Sequence, residues 1–103
     1  MNYKVRTLLR AKREMEAIVR YITEELGNPQ AATNLLDALL AQIQNLSVMP
    51  KIFPLVSDKK LAKRGIRFVP VGNFTVFFTV DEDEKYVNIA SVMYNRRDWG
   101  NLL

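Results

Sequence analysis

The chain contains neither cysteine nor histidine in its 103 residues. Without thiols there is no disulfide framework, no thiolate ligand and no thiolate nucleophile. Without imidazole the commonest general base and the commonest metal ligand are both missing. Glycine and proline are scarce at four each, so each one punctuates the chain rather than filling a linker. No apolar run approaches the ~20 residues of a membrane-spanning helix. The opening MNYKVRTLLRAKRE lacks the apolar core of a secretory signal. The expected compartment is therefore the cytoplasm, with no membrane partner, no cofactor and no metal.

What remains is an ordinary globular composition. A hydrophobic fraction of 49% beside 25% charged residues is that of a folded chain with a modest core. The length allows one domain, residues 1–103. Fifteen Lys and Arg against eleven Asp and Glu give a net charge of +4, compatible with a polyanionic partner without requiring one. The basic residues gather at Lys4, Arg6, Arg10, Lys12 and Arg13, and again at Lys59, Lys60, Lys63, Arg64 and Arg67. The acidic ones pool at Asp81, Glu82, Asp83 and Glu84, where the absence of glycine and of calcium-loop spacing predicts a solvated turn.

Tyr3 to Leu9 alternates apolar and basic residues and predicts a short strand whose charges suit a sheet edge. From Arg10 the period lengthens. Ala11, Met15, Ile18, Ile22 and Leu26 form the stripe of an amphipathic helix that Gly27 should end. Asn28 and Pro29 supply an N-cap and a first-turn proline for a second helix to about Ser47. Its apolar face is Ala32, Leu35, Leu36, Leu39, Ile43 and Leu46. Asp37 is its single charge, which predicts cover on more than one side. So short a connection folds the helices into an antiparallel hairpin. In the connector KIFPLVSDKKLAKR, Ile52, Phe53, Leu55 and Val56 are expected to tuck against the domain while Lys59 to Arg64 stay wet.

Gly65 to Asp98 reads as three consecutive strands, GIRFVPV, FTVFFTV and YVNIASVMY, ending in NRRD. The fold class expected is α+β: an N-terminal strand, a helical hairpin, and a three-stranded antiparallel meander completing one sheet. By parity Phe74, Val76, Phe78 and Val80 face the helices. A two-residue turn at Gly72-Asn73 would put Arg67 opposite Phe78 on that buried face, where an unpaired guanidinium costs several kcal/mol. A three-residue turn, Val71 to Asn73, sends Arg67 and Val69 to the open face, and that register is the one expected. Aligning Val87 and Ile89 with the core set then puts Val92 and Tyr94 on the open face too. The result is a shallow groove rimmed by Arg67, Tyr94, Arg96 and Arg97. Trp99 is expected to pack the tail onto the domain.

In these pieces, and in LGNPQAA, MPKIFPLVSDKKLAKRGIR, VGNFTVFFTV and VMYNRRDWGNLL, nearly the whole chain resembles the RelE/ParE superfamily of toxins from type II toxin–antitoxin modules. The resemblance implies the fold just described and an antitoxin that wraps the toxin and covers its groove. It implies one of two activities. RelE-like members cleave messenger RNA on the ribosome without a metal; ParE-like members inhibit DNA gyrase by binding. Ribosome-dependent cleavage is the leading expectation and gyrase inhibition the alternative. Metal-free RNA cleavage needs a deprotonated 2′-hydroxyl, a stabilised pentavalent phosphate and a protonated leaving group. Arginine suits the second task because its planar fork bonds two phosphate oxygens. Arg67, Tyr94, Arg96, Arg97 and Asp98 are the candidate catalytic residues, with Asp98 as base or ion-pair partner. Lys12, Arg13, Lys60, Lys63 and Arg64 are the expected RNA-binding set. Many relatives carry histidine where this chain has Tyr94, and Thr75 stands where RelE-like toxins have an arginine.

Overall fold

A computed structural model describes residues 2–95, 102 and 103. β1 (Lys4–Thr7) leads into α1 (Leu9–Arg20), which continues as a π-helical turn, Tyr21–Glu25. Gly27 takes the left-handed conformation, φ 61°, that ends this helix. The Asn28 side chain accepts a hydrogen bond from the Ala31 amide and opens α2 (Pro29–Asn45). A 3-10 turn (Pro50–Ile52) and α3 (Lys59–Lys63) precede β2 (Arg67–Val71), β3 (Phe74–Asp81) and β4 (Tyr86–Tyr94). The four strands make one sheet in the order β1-β4-β3-β2. β1 runs parallel to β4 and the other pairs are antiparallel. The expected α+β architecture is thus present, with the basic N-terminal strand at an edge. Among the described residues no helix is long and apolar enough to cross a membrane.

The helix hairpin covers one face of the sheet. Ala11 and Met15 of α1 and Leu39 and Ile43 of α2 pack on Val69, Val76, Phe78, Val87, Ile89 and Val92. α2 is covered on one side only: Ala32, Leu39 and Ile43 are buried, whereas Leu40 is 46% exposed. Its shortage of charge reflects an outer face of Thr33, Asn34, Ala38, Ala41, Gln44 and Asn45, polar or small without being ionised. The opposite face of the sheet is not bare. Val56, Leu61 of α3 and Ile66 form a second core around Phe77, with Phe68, Met93 and Leu103 packed against it. The proline-containing connector between α2 and α3 behaves differently from expectation. Phe53 and Val56 turn inward, but Ile52 and Leu55 are 65% and 42% exposed.

The register also departs from the expected one. Val71 pairs with Phe74, so Gly72 and Asn73 form a strict two-residue turn. Only Gly72 has a positive φ, 58°, the pattern of a II′ hairpin, whose twist matches that of the flanking strands. Arg67 therefore faces Phe78, and Val69 faces Val76. In β4, Ile89 pairs with Phe78 and Ser91 with Phe77, which leaves Ala90 as the extra residue of a bulge. That single insertion inverts the parity beyond it. Val92 and Tyr94 consequently lie opposite Val76 and Phe74, on the helix side rather than the open side.

Candidate functional site

Arg67 begins edge strand β2, and its side chain leaves the core sideways. Its Nη1 donates to the Phe53 carbonyl at 2.7 Å and to the Lys51 carbonyl at 3.4 Å. The backbone around it is tied to the same connector, through the Leu55–Arg67 bridge and the Phe68 amide donating to the Pro54 carbonyl. A guanidinium on the core side is tolerated because Arg67 is only half-buried at the sheet edge and its Nη1 meets backbone carbonyls, so the desolvation argument for the open face does not apply.

Tyr94 is 57% exposed and meets Phe74 edge to face, with ring centroids 5.5 Å apart. It borders a shallow apolar cleft with Ile18, Val92 and Phe74. Arg67 and Tyr94 are separated by four positions along β3 and by two strand spacings, on the order of 16 Å in all. The structure does not bring them together. Arg96, Arg97 and Asp98, with Trp99, lie outside the described residues. Thr75 is buried, and its hydroxyl donates to the Asn95 side chain at 2.6 Å.

The expected RNA-binding set divides between two places. Lys60, Lys63 and Arg64 belong to α3 and its C-terminal end, over the second core. Lys12 instead borders the groove of about 590 Å³ between the helices, floored by Met15, Val19 and Leu36. Arg13 is exposed on α1. Arg10, outside that set, and Arg64 both reach C-terminal carbonyls. Arg10 Nη2 donates to the Leu102 carbonyl, while Arg64 Nη1 donates to the Leu103 carbonyl.

Two carboxylates do work that sequence pattern did not single out. Glu14 accepts from the Ser91 hydroxyl at 2.7 Å and the Val92 amide at 3.1 Å. It replaces the strand partner that β4 loses once β1 has ended opposite Ile89. The bulge and this missing neighbour coincide, and the only sequence signal was an acidic residue on the inner half of an amphipathic helix. Glu82, in the acidic turn, accepts from the Tyr3 hydroxyl and pairs with Lys51 at 2.9 Å and Lys85 at 3.0 Å. The Asp81 side chain meanwhile accepts from the Glu84 amide. The turn is thus a structural staple between β1, the connector and the β3–β4 hairpin.

The Tyr3 hydroxyl first, then the two lysines, hold the Glu82 carboxyl at about 2, below its ordinary 4.5. A depressed folded-state pKa stabilises the fold above the unfolded value, and that contribution fades as pH falls from 4.5 toward 2. Thermal melts between those limits should show a steeper decline in the native protein than in Glu82→Gln. Equal slopes in the two proteins would remove the staple from the acid response.

A small mixed sheet, covered by a helix hairpin on one side and by a short helix on the other, is the architecture of a RelE/ParE-type toxin. The chain resembles the chromosomal ParDE system from P. aeruginosa at TM-score 0.74 and 15% identity, covering 91% of this chain and 97% of that one. It also resembles the RelBE2 toxin–antitoxin complex of Mycobacterium tuberculosis at TM-score 0.62 and 16% identity, over 92% and 100% of the two chains. At such identities these likenesses carry the fold. No curated protein sequence matches significantly. The family model for the ParE toxin of the type II toxin–antitoxin system, parDE, matches residues 5–99. The chain belongs to the ParE toxin family.

Proposed function

We infer that this toxin acts by binding, as an inhibitor of DNA gyrase, and that a cognate antitoxin neutralises it in the cytoplasm. The observation that carries the reading is the commitment of Arg67. Its Nη1 is held by the Phe53 and Lys51 carbonyls, at the opposite end of the sheet from Tyr94. Metal-free RNA cleavage asks for a cation, a base and an acid around one phosphate, and these two positions do not contribute jointly to such a cluster. Binding asks only for complementary surface. The match to the ParE family model favours the same branch of the superfamily. The antitoxin is supported by the two similar structures, which come from a ParDE system and a RelBE2 toxin–antitoxin complex.

Purified toxin should stop supercoiling by gyrase at near-stoichiometric ratios, while transcript 5′ ends mapped during toxin expression stay unchanged. Normal supercoiling together with new codon-phased 5′ ends would replace this reading with ribosome-dependent cleavage.

A further inference from the structure

The connector between α2 and α3 is apolar, exposed and firmly held, a combination that folding alone does not require. Val48, Met49, Ile52 and Leu55 are 56%, 60%, 65% and 42% exposed. Their backbone nevertheless has little freedom. Pro50 and Val56 are buried, and Phe53 packs edge-on against Phe78 with centroids 6.3 Å apart. Arg67 grips the Lys51 and Phe53 carbonyls, and the Val56 amide donates to the Ile66 carbonyl. At the other end the Tyr3 amide donates to the Ser47 carbonyl. Beside the strip lies a cleft of about 440 Å³, bounded by Tyr3, Met49, Ile52 and Lys85. Clustered apolar surface is unusual on a soluble chain and marks contact sites. Held rigid, it loses little entropy when covered.

The surrounding charge selects the partner. Lys51 and Lys85 beside the strip are both paired with Glu82, and the excess of positive charge comes from Lys59, Lys60, Lys63 and Arg64, set against one acid in residues 48–64, Asp58. Asp58 is occupied in capping the Leu61 amide, and among the described residues Lys59, Lys60 and Lys63 have no ion-pair partner. Nucleic acid would supply negative charge but rewards stacking aromatics, and the strip presents aliphatic side chains. The groove between the helices differs in kind. Its rim mixes Lys12 and Arg20 with Glu16 and Glu24, and its Leu36 lies nine residues before the end of α2 at Asn45, roughly 13 Å along the helix.

We propose that the outward strip Val48, Met49, Ile52 and Leu55 is the surface with which this toxin grips its protein target, through an acidic segment bearing apolar side chains. The proposal rests on the inhibitory reading above and names its contact surface. Ile52→Glu and the milder Ile52→Ser are compared with Leu40→Glu, an exposed control on α2, for growth arrest, gyrase supercoiling, antitoxin co-purification and melting temperature. Ile52→Glu should lower potency roughly tenfold or more, with Ile52→Ser intermediate. Melting temperature and antitoxin capture should stay as in the native protein, and Leu40→Glu should remain fully toxic. Full growth arrest by both Ile52 variants overturns the proposal. So does loss of antitoxin capture with toxicity retained, which makes the antitoxin the occupant. Loss of potency in Lys59→Glu and Lys60→Glu but not in Ile52→Ser also overturns it, in favour of nucleic acid. If the native toxin spares gyrase, the inhibitory reading fails by itself, and growth arrest still judges the strip because it does not depend on which protein is targeted.

Discussion

Phe77→Ala should destabilise the fold by about 4 kcal/mol, the usual cost of truncating a fully buried phenylalanine. For a chain of this length that lowers the melting temperature by roughly 15–30 °C. The size of the effect depends on which faces of the sheet are covered. Phe77 points away from the helix hairpin, so on a one-sided sheet it would be wet and its truncation would cost little. Here it is 0% exposed, enclosed by Val56, Leu61, Ile66 and the partly buried Phe68, Met93 and Leu103. Phe77→Leu, which keeps most of the apolar volume, should cost about 1 kcal/mol. Chemical denaturation of the two variants checks both numbers. A Phe77→Ala midpoint near the native one would mean that the second core does not stabilise the chain. Against a total stability of about 5–15 kcal/mol, the expected loss leaves this variant marginal at growth temperature.

That second core shows where pattern reading stops. The helix hairpin was legible because Ala11, Met15, Ile18 and Ile22 repeat at helical spacing and Asn28-Pro29 marks a start. The strands were legible because FTVFFTV and YVNIASV are rich in β-branched and aromatic residues. The sidedness of the sheet was not, because it depends on two single-residue events. One is the choice between two and three residues at Gly72-Asn73; the other is the bulge at Ala90. Each moves side chains to the other face without altering the apolar pattern of the segment. Pattern alone therefore puts Arg67 and Tyr94 on the right strands and on the wrong face.

The connector failed for a different reason. Its inward residues Pro50, Phe53 and Val56 recur at threes, while Ile52 and Leu55 are equally apolar and point outward. Periodicity cannot separate these sets where prolines interrupt the chain. What separates them is contact with Phe78 and with the β2 edge, which lie far away in sequence. The roles of Glu14 and Glu82 depend likewise on residues distant in sequence. Their partners Ser91, Val92 and Tyr3 are brought to them by the parallel pairing of β1 with β4, which no local pattern announces.

Arg67→Ala is the change that separates a clamp from a catalyst. A guanidinium that only met a phosphate would leave the free toxin unaffected when removed. As the structure has it, the substitution removes charge-assisted hydrogen bonds to the Phe53 and Lys51 carbonyls and leaves a partly buried acceptor without its donor. The expected loss is about 2.5 kcal/mol, or roughly 10–20 °C in melting temperature. Arg67→Lys keeps a cationic donor but on a shorter, non-planar head, so it should recover part of that stability. The two effects also differ in where they are felt. Losing the clamp frees residues 51–55, so amide exchange should quicken at Phe68 and Val56, whose amides donate to Pro54 and Ile66. It should leave the Ser91–Val92 end of β4, held by Glu14, protected. Toxicity of Arg67→Ala should then follow its folded fraction and return at lower temperature. An inactive Arg67→Ala with native melting temperature and native exchange would instead assign the side chain to chemistry.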